Sequence, residues 1–195
     1  MEKNELYPIF LKLHQLNVLI VGGGNVGLEK LSFLLKSSPN ANVEVVAPKF
    51  LPELEALAKT HQLKLTKGKF KKKLLKKRHM VIACTDDLIV NKRIYELSRK
   101  KYLICNIADT PDLCDYYLGG IVTKGNVKIA ISTNGKSPTT AKRLREFFEE
   151  IIPEDIDQMV LNLNEYRKSL KGNFEDKVQK MNEITALWKN KEHRE

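Results

Sequence analysis

Three observations predict an α/β fold built on a Rossmann-type parallel sheet. Short β-branched or apolar runs alternate with helix-like segments through the first half of the chain, the pattern of strands joined by crossover helices. A glycine-rich turn, Gly22-Gly23-Gly24-Asn25-Val26-Gly27, separates the first such run from the helix-like segment that follows it. After Asp109 the pattern changes to two short runs and then helices alone, which places a small α+β region and a helical C-terminal region beyond the sheet.

The strands expected are NVLIV at 17–21, VEVVA at 43–47, LKLT at 63–66, MVIAC at 80–84 and YLICN at 102–106. Between the first two, Leu28, Leu31, Leu34 and Leu35 recur at helical spacing, and Ile94 and Leu97 do so ahead of Tyr102. Residues 121–123 and 127–132 read as two strands joined across Lys124, Gly125 and Asn126, where glycine followed by asparagine suits a tight hairpin. Ser137 then Pro138 opens a helix, serine as N-cap and proline at the first helical position, and that helix stops near Pro153. In the tail, Phe174, Val178, Met181, Ile184 and Trp188 form an apolar stripe.

The chain has 195 residues, 42% hydrophobic and 30% charged, the composition of a folded globular protein rather than a disordered one. Its first residues, MEKNELYPIF, lack a basic run followed by an apolar stretch, and no window nears the roughly 18 apolar residues that span a bilayer. A cytoplasmic protein with no membrane partner is expected. Cys84, Cys105 and Cys114 include no CxxC pair, which suggests neither a disulfide framework nor a zinc site; Cys84 and Cys105 read as buried reduced thiols. The four histidines, His14, His61, His79 and His193, share no pattern, and no metal ligand is assigned. Lysine and arginine number 34 against 24 acids, a net charge of +10, which favours an anionic partner. Nucleic acid is not that partner on this reading. The run Lys67–Arg78 has one aromatic, Phe70, so it lacks a base-stacking platform and reads as a solvated face.

The glycine turn fits GxGxxG in the required setting, after a strand and opening a helix. Gly22 permits the turn, Gly24 admits phosphate oxygens and Gly27 lets helix and strand pack, with Asn25 and Val26 at the helix start. The acid that usually ends the second strand is missing: the strand runs into Ala47, Pro48 and Lys49, and Glu44 lies inside it. Lys49 could favour a 2′-phosphate, whereas backbone groups at Ala47 and Pro48 could hold a plain ribose, so NAD and NADP both remain open on these residues. Thr85, Asp86 and Asp87 follow the fourth strand at the carboxyl edge, either in contact with a cofactor or capping the next helix. Asp109 follows the fifth strand and could accept a proton, attract a cation or simply shape the loop before Pro111. The loop Ser132, Thr133, Asn134, Gly135, Lys136, Ser137 leads into a helix N-terminus and could hold an anion, or stand as a plain capped loop.

Taken in order, YPIFLKL, NVLIVGGGNVGLEK, VEVVAP, VIACTDDLIVNKRI, ICNIADTPDLCD and IAISTNGKSPTTAKRLRE resemble the precorrin-2 dehydrogenase and sirohydrochlorin ferrochelatase family, the N-terminal module of siroheme synthase, over roughly residues 7–150. The last stretch is the most specific, because generic Rossmann enzymes carry no TxGxSPxxAxxLR element. The resemblance implies an NAD-binding Rossmann domain at 1–113, a dimerisation region at 114–150 and a helical C-terminal region at 151–195, assembled as a homodimer. It implies oxidation of precorrin-2 by NAD to sirohydrochlorin, followed in bifunctional members by insertion of ferrous iron to give siroheme. The family's aspartate falls on Asp109; Asn25 and Val26 fall on its cofactor turn, and Pro48 with Lys49 on its second cofactor loop. Ser132, Thr133, Lys136 and Ser137 would then bind substrate. The substrate is a polycarboxylate, which gives the net charge a reason, with Lys124, Lys136, Lys142 and Arg143 as candidates to attract it. The sequence departs from the family at Tyr116-Tyr117-Leu118-Gly119-Gly120 and in having threonine at 133. An alternative from another class is a nucleotide-sensing Rossmann domain without catalysis; the SPTTAKRLRE element speaks against it.

Overall fold

The computed structural model of the protein describes residues 3–186. Five parallel strands form the sheet: β1 Val18–Val21, β2 Val43–Ala47, β3 Lys64–Lys67, β4 Met80–Ala83 and β5 Ile104–Ile107, in the order β3-β2-β1-β4-β5. β1, β2 and β4 are buried throughout, as expected of strands covered on both faces. Each expected strand is present within about two residues of its predicted bounds.

One face of the sheet buries Val18, Ile20, Val45 and Ile82 against Leu31, Leu34 and Leu35 of helix α1 (Asn25–Ser37) and Leu54 of helix α2 (Pro52–Thr60). The other buries Leu19, Val46, Val81 and Cys105 against Ile94 and Leu97 of helix α3 (Leu88–Arg99) and Leu75. Each fully buried aliphatic side chain contributes roughly 1.5–3 kcal/mol. Leu75 sits in a short 3₁₀ turn, Lys72–Leu75, which stands in place of a crossover helix between β3 and β4.

A second sheet pairs β6 (Gly120–Lys124) with β7 (Val127–Ile131). Gly125 has φ +54° at the first position of the two-residue turn, where a primed hairpin turn requires a positive φ. Helices α4 (Pro138–Ile151), α5 (Ile156–Ser169) and α6 (Phe174–Thr185) complete the described chain. α4 opens as expected: the Ser137 hydroxyl accepts from the Thr140 N–H at 3.2 Å and Pro138 is its first residue. The chain divides into two compact units, one holding the residues up to Gly120 with Ile131–Ala141, the other holding Ile121–Ala130 and the residues from Lys142 on.

In the second unit, Asp157 accepts from the Asn126 N–H at 2.6 Å and from its carboxamide at 2.8 Å, fastening the hairpin turn to α5. The Lys124 ammonium donates to the Ile152 carbonyl at 2.6 Å and pairs with Glu154 at 2.5 Å. Its side chain is only 13% exposed, so Lys124 serves the fold rather than offering a charge to substrate. Of the apolar stripe in the tail, Phe174, Val178 and Ile184 are exposed on α6, and Trp188 lies outside the described residues. No helix among the described residues is long and apolar enough to cross a membrane.

Candidate functional site

The glycine turn carries no side chain that could fill the space before α1. Gly24 is the N-cap of α1 and gives its first turn no side-chain cap, so the amides of Gly24, Asn25, Val26 and Gly27 have no intrahelical acceptor. A Cβ at Gly24 would meet nothing within 4 Å. At Gly22, whose φ is +134°, a Cβ would lie 2.4 Å from the Cys84 carbonyl oxygen, and at Gly27 it would lie 2.4 Å from the Gly22 carbonyl oxygen. Two glycines thus allow strand, turn and helix to close on one another, and the third leaves an open approach to a row of free amides at the positive end of a helix. That is the fit required by the pyrophosphate of a dinucleotide.

The loop after β2 lies directly on this turn. A Cβ at Gly23 would meet the Lys49 carbonyl oxygen at 2.3 Å and the Ala47 side chain at 2.7 Å, and the Leu51 N–H donates to the Gly23 carbonyl at 3.0 Å. Pro48 and Lys49 are exposed beside it. Glu44 is turned away from this edge. Its carboxylate accepts from Thr66 Oγ1 at 2.6 Å, pairs with Lys64 at 3.3 Å and is held by the Arg78 guanidinium. Burial pushes the Glu44 carboxyl up, but the bonds from Thr66, Arg78 and Lys64 and the charge of Arg78 outweigh it, leaving its pKa below the ordinary value.

After β4, Asp87 is the N-cap of α3 and accepts from the Ile89 and Val90 amides at 2.9 and 3.1 Å. Asp86 is exposed. Thr85 is held by Asn91, a buried residue that sequence reasoning missed. Its carboxamide oxygen accepts from the Thr85 hydroxyl at 2.7 Å, and its nitrogen donates to the Thr85 carbonyl at 2.9 Å. The missed signal is an amide side chain on the apolar helical face that also carries Ile94, Leu97 and Ser98.

Asp109 follows β5 in the left-handed region, at φ +59°, exposed and with no hydrogen bond or ion pair among the described residues. Val21, Ala83 and Ile107 stand in register across β1, β4 and β5. The end of β5 is therefore two strand spacings, about 10 Å, from the start of the glycine turn. A non-glycine residue with positive φ is uncommon and costs of order 1–3 kcal/mol, the kind of strain that collects at functional sites. Behind it, the buried Asn106 carboxamide donates to the Tyr116 carbonyl at 2.9 Å, anchoring the segment after Asp109.

The loop Ser132–Ser137 is largely self-satisfied. Ser132 Oγ accepts from the Asn134 N–H at 3.1 Å, and Thr133 Oγ1 accepts from the Ser137 N–H at 3.2 Å while donating to its carbonyl. Lys136 is exposed. No hydrogen bond among the described residues joins this loop to Asp109 or to the glycine turn. In the second unit Lys142 and Arg143 are exposed, and both pair with Glu146. Cys84 and Cys105 are buried and free, each thiol pushed up to about 12 by burial. No group of three or more potential metal ligands occurs among the described residues.

Residues 9–120 match a family described as NAD(P)-binding, and residues 124–151 match one described as sirohaem biosynthesis protein central. The chain belongs to the NAD(P)-binding family whose match covers more than half of it. Siroheme synthase of Pseudoalteromonas translucida (strain TAC 125) is 38% identical over 167 residues, 86% of this chain and 35% of that protein. Siroheme synthase of Escherichia coli O157:H7 (strain EC4115 / EHEC) is 32% identical over 181 residues, 93% of this chain and 38% of that protein. The chain thus spans little more than a third of the length of these curated relatives. Among solved structures, SirC, a precorrin-2 dehydrogenase, superimposes with a TM-score of 0.73 at 26% identity, covering 92% of this chain and 89% of that one. The glycine turn lies within the residues matched by the NAD(P)-binding family.

Proposed function

We propose that this chain oxidises precorrin-2 to sirohydrochlorin with NAD, as a step of siroheme biosynthesis. The observation that carries the reading is Asp109: an exposed carboxylate on left-handed backbone, without a protein partner among the described residues, two strands from the dinucleotide turn. Its likeness in position to the aspartate of the family supports the assignment. The amides of Gly24 to Gly27 hold the pyrophosphate, the loop Ala47-Pro48-Lys49 receives the adenosine ribose, and the end of β4 at Thr85 and Asp86 borders the site. Bound there, NAD would supply the hydride acceptor for oxidation of the macrocycle. The carboxylate of Asp109 accepts the one proton released for each hydride removed.

Insertion of ferrous iron is the second activity we assign, with iron as substrate and Asp109 accepting protons that metallation displaces from the ring. Ser132, Thr133, Lys136 and Ser137 are the proposed substrate contacts, in keeping with a glycine-containing loop at a helix N-terminus. A homodimer in the cytoplasm, with residues 114–150 as the dimerisation region, completes the reading. The exposed Phe147 and Ile151 on α4 are consistent with a partner surface.

The test is an anaerobic assay in which the chain is supplied with precorrin-2 and NAD and NADH is followed, after which ferrous iron is added and the siroheme spectrum recorded. Absence of NADH removes the dehydrogenase reading in favour of a non-catalytic nucleotide sensor. NADH without siroheme removes only iron insertion.

A further inference from the structure

We propose that the lysine-rich crossing between β3 and β4 is a docking surface for a partner protein that presents an acidic face. The strands of the sheet run parallel, so residues 68–79 must return from its carboxyl edge to its amino edge. They do so on the face shared with α3: Leu75 is buried with Leu19, Val46, Ile94 and Leu97, and Phe70 and Leu74 pack against the same cluster. Two further bonds fix the far end of the crossing, from the Asn17 carboxamide to the Lys77 carbonyl at 2.8 Å and from Arg78 Nε to the Leu74 carbonyl at 3.1 Å. Lys69, Lys71, Lys72, Lys73, Lys76 and Lys77 stand exposed on this fixed ledge.

None of these six has an ion pair among the described residues. No aspartate or glutamate occurs between Glu55 and Asp86, and Glu44, the acid that does reach the crossing, is buried and taken by Thr66, Lys64 and Arg78. Protection of the sheet edge does not account for the lysines. β3 is the edge strand and carries its own, Lys64 and Lys67, whereas the six lie beyond its last residue. Crowded together they repel one another, and an acidic surface relieves that repulsion on docking. The class of partner follows from what accompanies the charge. Nucleic acid calls for aromatic platforms and arginine forks, but Phe70 packs on the core and Arg78 is held by Glu44. A bilayer takes up apolar side chains along with the cations, and Phe70, Leu74 and Leu75 are all engaged by the core. Carboxylates on a protein surface need only the ammonium groups. Lys76 and Lys77 lie at the amino edge of the sheet, so a partner seated there does not cover the proposed site at the carboxyl edge.

The whole chain is titrated at about 0.15 M ionic strength with a fluorescein-labelled oligoglutamate peptide, read by anisotropy, and in parallel with a labelled duplex DNA and with phosphatidylserine vesicles. The peptide is expected to bind, and the joint replacement Lys71→Glu, Lys72→Glu, Lys73→Glu to weaken it at least about tenfold. Joint Lys168→Glu, Lys171→Glu, Lys180→Glu makes an equal change of net charge in the C-terminal helical region and is expected to weaken it less than about twofold. Should the first variant lose the circular dichroism spectrum of wild type, Lys71→Gln, Lys72→Gln, Lys73→Gln removes the charge without reversing it and is expected to weaken the peptide at least about threefold. Absence of peptide binding overturns the proposal, as does equal weakening in the two glutamate variants, which would make the attraction one of overall charge. Tighter binding of the DNA or of the vesicles than of the peptide overturns it in favour of nucleic acid or membrane.

Discussion

Replacing Glu44 with alanine leaves the Arg78 guanidinium without the carboxylate that now holds it. The Glu44 side chain is 6% exposed and that of Arg78 16%, so the pair is largely withdrawn from water. Removing one partner of a buried pair costs roughly 3–5 kcal/mol, mostly because the other charge is left uncompensated. Arg78 keeps a bond from its Nε to the Leu74 carbonyl at 3.1 Å and some access to water, which puts the expected loss near the lower end, about 3 kcal/mol. That is a large share of a total stability of roughly 5–15 kcal/mol. The assay is urea unfolding at neutral pH of wild type, Glu44→Ala, Arg78→Met and a Glu44→Leu, Arg78→Met double variant. The double variant is expected to be closer to wild type than either single one, since apolar replacement of both partners is often near neutral.

The same experiment has a pH arm. The pKa of Glu44 is lower in the folded chain than its ordinary value. Its contribution is therefore complete above the unfolded carboxylate pKa, about 4.3 for glutamate, and is lost as pH falls through the lower folded value. The gap in stability between wild type and Glu44→Ala should narrow over that acid range. A loss below about 1 kcal/mol at neutral pH, or a gap independent of pH, refutes the buried-pair reasoning.

Four further outcomes are expected. Asp109→Asn should remove turnover of precorrin-2 while leaving NADH binding within about twofold; loss of binding would make Asp109 structural instead. In Gly27→Ala the added Cβ falls 2.4 Å from a backbone oxygen, an overpacking worth roughly 1–3 kcal/mol that should push α1 off the turn and weaken NADH about tenfold, read by fluorescence titration. Gly125→Ala imposes a side chain at φ +54° and a Cβ 2.1 Å from Asp157, and should cost about 1–3 kcal/mol in thermal or urea unfolding. With thiols pushed up to about 12, Cys84 and Cys105 hold a thiolate fraction near 1 in 10⁴ at pH 8, so a thiol reagent should modify the half-exposed Cys114 first, as mass mapping would show.

The sheet was legible because both of its faces are covered, so β1 and β4 are written as continuous apolar runs that their two-sided burial explains. The Ser137-Pro138 helix start and the Gly125 hairpin were legible because their chemistry is local. What sequence could not give were pairings across distance. Glu44 and Arg78 are 34 residues apart and meet only once β2 and the lysine-rich turn are placed. Lys124 read as a charge for substrate, yet its ammonium is taken up by Ile152 and Glu154 about 30 residues on. The left-handed backbone at Asp109 had no sequence signature, since aspartate before Thr110-Pro111 fits several loop conformations.

The loop after β4 has a distinct part in the proposed site. Thr85 and Asp87 lie between the glycine turn and Asp109 at the carboxyl edge, where their polar groups would compete for a ligand if they were free. Asn91 bonds the Thr85 amide, hydroxyl and carbonyl, and Asp87 is taken by the first amides of α3. The loop is thus a fixed wall whose polar groups are mostly satisfied from within. Free donors remain at the first turn of α1 and a free acceptor at Asp109, one matched to phosphate and the other to a proton. Asn91→Ala should therefore act through position: it frees Thr85 and loosens the wall, lowering the rate of turnover more than the affinity for NADH. An equal fall in both would mean that the β4 loop binds cofactor directly.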